Sequence, residues 1–386
     1  MLFAKLNDLS IGGKGAYGIA ASAVERKADL PTYLRITDIF DDGTLNLNEL
    51  KSVDAPNSDK YILKPNDIVF ARTGGSTGRN YFYDGSDGVF VYAGFLIKFS
   101  IDPEKVNPKY VKYYCRSKQY NDWVQSFNTG STRGNINAQT FGNMEIPLPE
   151  RKQQDYLVSI LEPIDEKIKN NKQVNDNLQQ QATALFSSLY DRSNTEVRFT
   201  DLIQILGGGT PKTGESTYWN GNIAFFTPKD VGTPYTLITE KTISEEGLSH
   251  CNSRLYPVNT VFVTARGTVG KVGISGVPMA MNQSCYALVG KETHQLLVYF
   301  YTLKAVDRLK HKASGAVFDA ITTRDFESEQ IMKLSDDDAK AFLCIAEPMF
   351  QKVLNNCIEN LRLSTLRDSL LPKLMSGEID VSAIQL

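Results

Sequence analysis

Two hydrophobic patterns divide the chain. Short runs rich in β-branched and aromatic residues lie between turns of glycine, asparagine and aspartate, and they predict strands; examples are 67–72, 88–99, 259–266 and 282–289. A helical patch follows in each half, at 108–128 and 295–312. Residues 157–189 differ from both, because their apolar positions recur every seven residues, as in a coiled coil. The pattern predicts an α+β fold that combines strand-rich domains with long helices.

The chain also repeats itself. Residues 129–141 match 314–326 at a constant offset of 185, which pairs Ile136 with Ile321 and Phe141 with Phe326. Residues 161–173 match 346–358 at the same offset, and 63–79 resemble 256–271 at an offset near 192. We therefore expect two half-proteins in tandem. The expected parts are a strand-rich domain (1–147), a central helix (148–192), a second strand-rich domain (193–332), a C-terminal helix (333–377) and a tail (378–386).

Asparagine interrupts the apolar rows of both long helices at the same place. The four residues are Asn171, Asn175, Asn356 and Asn360. If the helices pack antiparallel about a pseudo-two-fold axis, these side chains would meet near the crossing point and fix the register; the alternative is that they lie exposed on the helix surface. Pro163 and Pro348 are expected in the first turn of each helix, where a missing N–H costs nothing. That start predicts helices of roughly 40 Å.

Composition narrows the class of protein. A chain of 386 residues suits two or three domains. It contains no apolar run of about 18 residues and no secretory signal pattern, so we expect a cytoplasmic protein without a membrane segment. The five cysteines never form a CxxC pair, which argues against a disulfide framework or a zinc cluster. Since 42 basic and 44 acidic residues give a net charge of −2, any DNA contact must use local patches.

A search for catalytic motifs finds none that is convincing. No glycine loop for a methyl-donor cofactor and no Asn/Asp-Pro-Pro-aromatic motif is present, and GTVGK (267–271) lacks the spacing of a phosphate-binding loop. The three histidines are not spaced for a metal, and Asp165, Glu166 and Lys167 are interpreted as a solvated helix face. We predict no catalytic residue and no metal site.

The remaining candidates are cationic and aromatic residues in glycine-rich or strand-end loops. Glycine lets the backbone approach phosphates closely, and an arginine fork can bind guanine or a phosphate. Arg35 has an alternative partner in Asp38, and Tyr218 and Trp219 are expected to pack at the domain edge. The predicted DNA-binding residues are Lys14, Tyr17, Arg35, Arg72, Arg79 and Arg133 in the first half, with Lys212, Lys229, Arg266, Lys271 and Arg324 as their counterparts in the second.

Several motifs occur in a fixed order along the chain. They are IPLPERKQQ (146–154), GGTPK with YWNGNIAFFTPKDV (208–231) and TARGTVGK (264–271), together with two half-repeats that each end in a long helix. This arrangement resembles the specificity subunits of Type I restriction-modification systems over nearly the whole chain. The resemblance implies two target-recognition domains, 1–147 and 193–332, that each read one half of a split, asymmetric sequence in double-stranded DNA. An antiparallel coiled-coil pair of helices would separate them.

The resemblance also implies partners. Two methyltransferase subunits, which carry S-adenosylmethionine, would dock on the helices, and ATP-dependent restriction subunits can join them. The chain itself would bind no cofactor and would not be an enzyme, and its exposed apolar helix faces predict self-association when it is isolated. One departure concerns residues 330–342, which lack the proline-marked helix entry of 144–157 and leave the start of the second helix open.

Two other functions fit parts of the sequence. The chain could be a detached recognition module of an enzyme that fuses methyltransferase, nuclease and recognition domains. It could also be a structural adaptor that binds proteins through its helices and does not bind DNA. Salt-dependent binding to duplex DNA separates the adaptor from the other two functions.

Overall fold

The computed structural model describes residues 2–127, 134–232, 234–312 and 320–379. Two compact units emerge from its contacts. The first unit contains Met1–Glu166 and Ser364–Leu386, and the second contains Lys167–Leu363.

The first unit contains ten described strands, three short α-helices and parts of both long helices. Its strands are β1 (Leu2–Lys5), β2 (Ala16–Tyr17), β3 (Ala23–Val24), β4 (Thr32–Leu34), β5 (Lys51–Val53), β6 (Asp67–Ala71), β7 (Asn80–Tyr83), β8 (Phe90–Tyr92), β9 (Leu96–Ser100) and β10 (Glu145–Leu148). Its helices are α1 (Pro108–Tyr114), α2 (Lys118–Gln125), α3 (Ala138–Gly142) and the beginning of α4 (Arg151–Asp191). The strands form the sheets β2-β9-β6-β7, β3-β5-β4-β8 and β1-β10.

The second unit repeats this plan. Its strands are β11 (Thr195–Arg198), β12 (Ile203–Gly207), β13 (Trp219–Phe226), β14 (Tyr235–Thr236), β15 (Lys241–Ile243), β16 (Val261–Thr264), β17 (Val272–Ser275), β18 (Met279–Met281), β19 (Cys285–Gly290) and β20 (Gln330–Lys333). Its helices are α5 (Phe199–Leu202), α6 (Glu245–Ser249), α7 (Gln295–Lys312), α8 (Thr323–Ser328) and most of α9 (Asp336–Ser376). The strands form the sheets β12-β19-β16-β17-β14, β15-β13-β18 and β11-β20.

The central strand pairing is the same in both units, although the outer strands differ. The antiparallel order β9-β6-β7 corresponds to β19-β16-β17, and the parallel pair β4-β8 corresponds to β13-β18. Asn66 and Asn259 precede equivalent strands, and both have a positive φ (72° and 70°), a conformation that asparagine tolerates better than most residues. The α+β tandem repeat predicted from the sequence is confirmed.

The long helices begin earlier than predicted. Helices α4 and α9 each contain 41 residues, which corresponds to roughly 60 Å, and both prolines lie inside them. The placement of Pro163 and Pro348 in the first turn was therefore wrong. Both prolines are on the exposed side of their helix, where water can bind the backbone carbonyl that loses its N–H partner.

The start of α9 uses a side-chain cap in place of a proline motif. The Ser335 hydroxyl accepts a hydrogen bond from the backbone N–H of Asp338 at 3.1 Å. Three aspartates, Asp336 to Asp338, occupy the first turn, where a negative charge is favourable because the helix dipole is positive there. The start of the second long helix, which the sequence did not define, is therefore set by the segment SDDD (335–338).

Within the second unit, α4 and α9 pack antiparallel through their asparagines. The Asn356 amide donates to Asn175 Oδ1 at 2.8 Å, and the Asn171 amide donates to Asn360 Oδ1 at 2.9 Å. As the residue number rises along α4, that of its partner falls along α9. Asn171, Asn175 and Asn356 are buried, so these amide pairs replace lost contacts with water. That they select the register remains a prediction.

Within the first unit, a carboxylate whose side chain is 15% exposed joins α4, α1 and α9. Asp165 lies 3.0 Å from Lys112 Nζ, 2.9 Å from Arg116 Nη1 and 3.0 Å from Arg367 Nη1. We call these four residues the Asp165 cluster. Burial alone raises the pKa of the Asp165 carboxyl, but the charges of Arg116 and Lys112 and the hydrogen bond from Arg367 outweigh it, so the pKa is lowered. The interpretation of Asp165 as part of a solvated face was wrong.

The equivalent position in the second unit is apolar. The offset of 185 places Phe350 at the position of Asp165 and Ala182 at that of Arg367. Both are buried in the core of the second unit, where the Phe350 ring lies 5.5 Å from that of Phe300 and 5.7 Å from that of Tyr299. Equivalent helix segments are thus held by ion pairs in the first unit and by apolar packing in the second.

Candidate nucleic-acid interface

The loops after β6 and β16 share one hydrogen-bond pattern. In the first unit, Gly78 N–H donates to Ala71 O, and Ala71 N–H donates to Arg79 O. In the second unit, Gly270 N–H donates to Thr264 O, and Thr264 N–H donates to Lys271 O. Gly78 and Gly270 have positive φ values of 88° and 73°, so glycine suits this turn. Arg79 and Lys271 therefore occupy equivalent positions.

Arg72 and Arg266 are not equivalent, although the sequence match made them counterparts. Ile136 N–H donates to Arg72 O, whereas Ile321 N–H donates to Ala265 O, and both distances are 2.9 Å. Because the first loop contains one more residue than the second, Arg266 takes the position of Thr73. The interpretation of Arg72 and Arg266 as counterparts was wrong, and the two units place different side chains at this site.

The Arg72 guanidinium lies against two exposed aromatic rings. Its guanidinium carbon is 5.4 Å from the centre of the Tyr17 ring and 5.8 Å from that of Phe95. The Tyr17 hydroxyl accepts a hydrogen bond from Ala138 N–H, which ties the glycine-rich loop 12–18 to the start of α3. Phe95 was not among the predicted residues, because a single aromatic residue between strands gives no signal of its own. The geometry brings two predicted residues, Tyr17 and Arg72, together.

Two other predicted arginines have carboxylate partners. Arg35 makes an ion pair of 2.5 Å with the buried Asp38, so the alternative considered from the sequence is confirmed by the contact. Hydrogen bonding to Asp38 raises the pKa of Arg35, while burial opposes that rise. Arg79 makes an ion pair of 2.6 Å with the exposed Asp41. The pair of Arg35 with the buried Asp38 is a structural contact within the unit. The partner of Arg79 is exposed, so a phosphate can replace it.

In the second unit, three loops meet near the turn between β18 and β19. Ala265 N–H donates to Ser284 O in that turn, and the Thr210 hydroxyl contacts Gln283. The Thr268 hydroxyl donates to Pro228 O, which connects the loop after β16 to that after β13. The cationic side chains carried by these loops are exposed: Lys212, Lys229, Arg266 and Lys271. Lys229 is paired with Glu240 at 3.3 Å.

The remaining predicted residues lie at separate positions. Lys14 is exposed in the loop before β2, and Arg324 is exposed on α8. Arg133 lies outside the described residues. Tyr218 stacks on His250 with ring centres 5.0 Å apart, and Trp219 packs edge-on against Phe225, in agreement with the packing role expected for both.

Lys310 is a cation that sequence reasoning missed. A Cβ atom at Gly270 would lie 2.6 Å from Lys310 Cε, so this side chain passes directly over the loop 265–271. Val124 covers Gly78 in the same way in the first unit. Lys310 is exposed and adds positive charge beside Arg266 and Lys271. The only signal in the sequence was the basic end of α7.

The structure offers little support for other chemistry at these loops. Among the described residues, no group of three histidine, cysteine or acidic side chains could hold a metal ion. In the same ranges, no helix is long and apolar enough to cross a membrane. The cysteines are free, and burial raises the pKa of the Cys285 thiol to about 12, which keeps it protonated and weakly nucleophilic.

Comparison with known proteins identifies relatives of both halves. The family model described as "Type I restriction modification DNA specificity domain" matches residues 26–180 and 192–333. The Type I restriction enzyme HindI specificity subunit of Haemophilus influenzae is 23% identical, covering 92% of this chain and 97% of the relative. The MjaIX specificity subunit of Methanocaldococcus jannaschii is 22% identical, and the match covers 74% of this chain and 72% of the relative.

A solved structure supports the fold. The S subunit of a Type I restriction-modification system from M. genitalium matches with a TM-score of 0.59 at 15% identity, covering 97% of this chain and 95% of that chain. At this identity the likeness concerns architecture alone.

Proposed function

Because this chain belongs to the family of Type I restriction modification DNA specificity proteins, we propose that its two units read the two halves of a split, asymmetric sequence in double-stranded DNA. Members of this family provide DNA sequence specificity and are not enzymes. The chemistry of modification and cleavage would then belong to partner subunits. S-adenosylmethionine and ATP would be bound there and not by this chain.

The repeated loop after β6 and β16 is the observation that carries the proposal. Its backbone hydrogen bonds are the same in both units, whereas its side chains differ, with Arg72 at one position and Ala265 at the equivalent one. A conserved backbone can place two loops against DNA in the same way, and different side chains then read different bases. The target is therefore expected to be bipartite and asymmetric.

The helices α4 and α9 are the proposed docking surface for two methyltransferase subunits and, through them, for restriction subunits. Exposed apolar residues on α9 support this role. Ile345 and Leu366 are each 48% exposed, and a bound partner would remove their apolar surface from water. The same surface predicts self-association when the chain is isolated. The near-neutral net charge fits a complex in which partners supply part of the phosphate contact.

Methylation mapping tests the proposal. The full chain is co-expressed with a Type I methyltransferase subunit from the same host, and methylated adenines are mapped across the genome. We expect a split motif that changes in one half when 1–147 are replaced by those of a relative, and in the other when 193–332 are replaced. A motif that is independent of this chain would contradict the proposal.

Binding measurements separate the two other functions. A structural adaptor would show no salt-dependent binding to duplex DNA, whereas a specificity subunit should bind it and lose affinity as the salt concentration rises. A detached module of a fused enzyme would modify DNA only when joined covalently to its methyltransferase. A stable complex with separately expressed subunits would therefore exclude that function.

A further inference from the structure

The Tyr17–Arg72–Phe95 cluster is the most distinctive chemical feature of the first unit. Tyr17 and Phe95 are 45% and 55% exposed, so the rings that flank Arg72 are at the surface and not in the core. In the described part of the chain, Arg35 and Arg79 have carboxylate partners, whereas Arg72 has two ring faces. A partly buried arginine that lies against surface aromatic rings can bind a ligand that brings its own acceptors.

The backbone of Arg72 is also fixed at both ends of the residue. Its N–H donates to Phe95 O at 3.1 Å, and its carbonyl accepts from Ile136 N–H at 2.9 Å. The Arg72 Nε atom is enclosed and has no hydrogen-bond partner among the residues that the structure describes. The two terminal NH2 groups are therefore the ones left for a ligand. A side chain oriented in advance loses less conformational entropy when it binds.

We infer that Arg72 reads a guanine in the half-site of the first unit. The two terminal NH2 groups of an arginine form a fork that matches O6 and N7 of guanine in the major groove, the commonest specific contact between arginine and a base. The fork can also bind a phosphate, but a phosphate contact is the same for every sequence, whereas a guanidinium plane fixed against the rings suits the edge of one base. Because Ala265 occupies the equivalent position, the second unit cannot read its half-site in this way. This inference rests on the proposed function and names a base contact within it.

The variant Arg72→Lys tests the inference, because it keeps the charge and removes the fork. The full chain is co-expressed with its methyltransferase subunit, and the modified motif is mapped for the wild type and for R72K. We expect one guanine in one half of the motif to become degenerate, with discrimination at that position falling by roughly 5- to 150-fold. The other half should stay unchanged. Lys14→Gln is the matched control, because it removes an exposed charge from another loop of the same unit and should lower modification at all sites evenly.

The possible outcomes are distinguishable. If R72K lowers modification evenly and leaves the motif intact, Arg72 contacts a phosphate or supports the loop, and the inference is wrong. Relaxation at a base other than guanine, or in both halves, would also overturn it. Equal thermal unfolding and equal complex formation of R72K and wild type exclude misfolding as the cause of a change. If the wild-type complex shows no split motif, the proposed function itself fails.

Discussion

Removal of the charge of Asp165 should destabilise the first unit. Three cationic nitrogens lie 2.9 to 3.0 Å from its carboxylate. At an effective dielectric constant of about 20, each attraction is worth on the order of 5 kcal/mol, but desolvation and repulsion between the cations cancel most of that sum. The measured cost of leaving buried charges without a partner is about 3–5 kcal/mol. We expect Asp165→Asn to lower the free energy of unfolding by that amount.

Urea unfolding and hydrogen exchange measure this effect. The peptides to follow are those of α1 and of α9 from Ser364 onwards, because the cluster joins them to α4. Asp368→Asn is the matched control: Asp368 pairs with Arg367 at 2.8 Å but is 64% exposed, so its loss should cost less than about 1 kcal/mol. If both variants shift the transition equally, the Asp165 carboxylate stabilises the fold no more than the exposed Asp368 does, and the reasoning is refuted.

The same carboxylate predicts an acid dependence. Its folded pKa lies below the ordinary value of about 4, so the unfolded chain takes up a proton first as the pH falls. The contribution of Asp165 to stability is therefore complete above about pH 4 to 5 and is lost as the pH falls through the lowered pKa. Asp165→Asn should flatten the pH dependence of unfolding in this range. An unchanged slope would mean that other carboxyl groups govern acid unfolding.

Three further predictions concern the helices and the second unit. Asn356→Ala should cost about 1–3 kcal/mol in urea unfolding, because it leaves Asn175 Oδ1 without its donor. Replacement of both asparagines by Leu should recover most of this cost; a double variant as unstable as the single one would contradict this. Lys310→Gln should reduce the slope of log affinity against log salt by about 0.9, whereas Lys291→Gln, beyond the other end of α7, should not. Ser335→Ala should cost about 0.5–2 kcal/mol, with earlier exchange of the first turn of α9; unaltered exchange would argue against the cap.

The successful predictions came from the local periodicity of hydrophobic residues. Strands, long helices and the tandem repeat are encoded by hydrophobic spacing within short segments, and the structure contains all three. Pro163 and Pro348 misled the prediction of the helix starts, because a proline is common in a first turn but is also accepted on an exposed helix side. The sequence pattern alone does not distinguish the two situations.

Contacts between distant segments could not be predicted. Asp165 stands beside Glu166 and Lys167 in the sequence, and only folding places Lys112 and Arg367 against it. The non-equivalence of Arg72 and Arg266 has a similar origin, because one additional loop residue shifts the match without changing the motif. The correspondence of Arg72 with Ala265 is visible only in the backbone hydrogen bonds, which no sequence pattern displays.

The discontinuous first unit has a consequence for synthesis of the protein. Leu371 and Met375 belong to its core together with Leu157 and Leu161, yet the ribosome adds them about 200 residues later. At about 5–20 residues per second, the first unit waits roughly 10–40 s for its final helix segment, and the apolar face of early α4 stays open during that time. The second unit, Lys167–Leu363, is complete before the first. The order in which the units mature is thus the reverse of the order in which they begin to emerge.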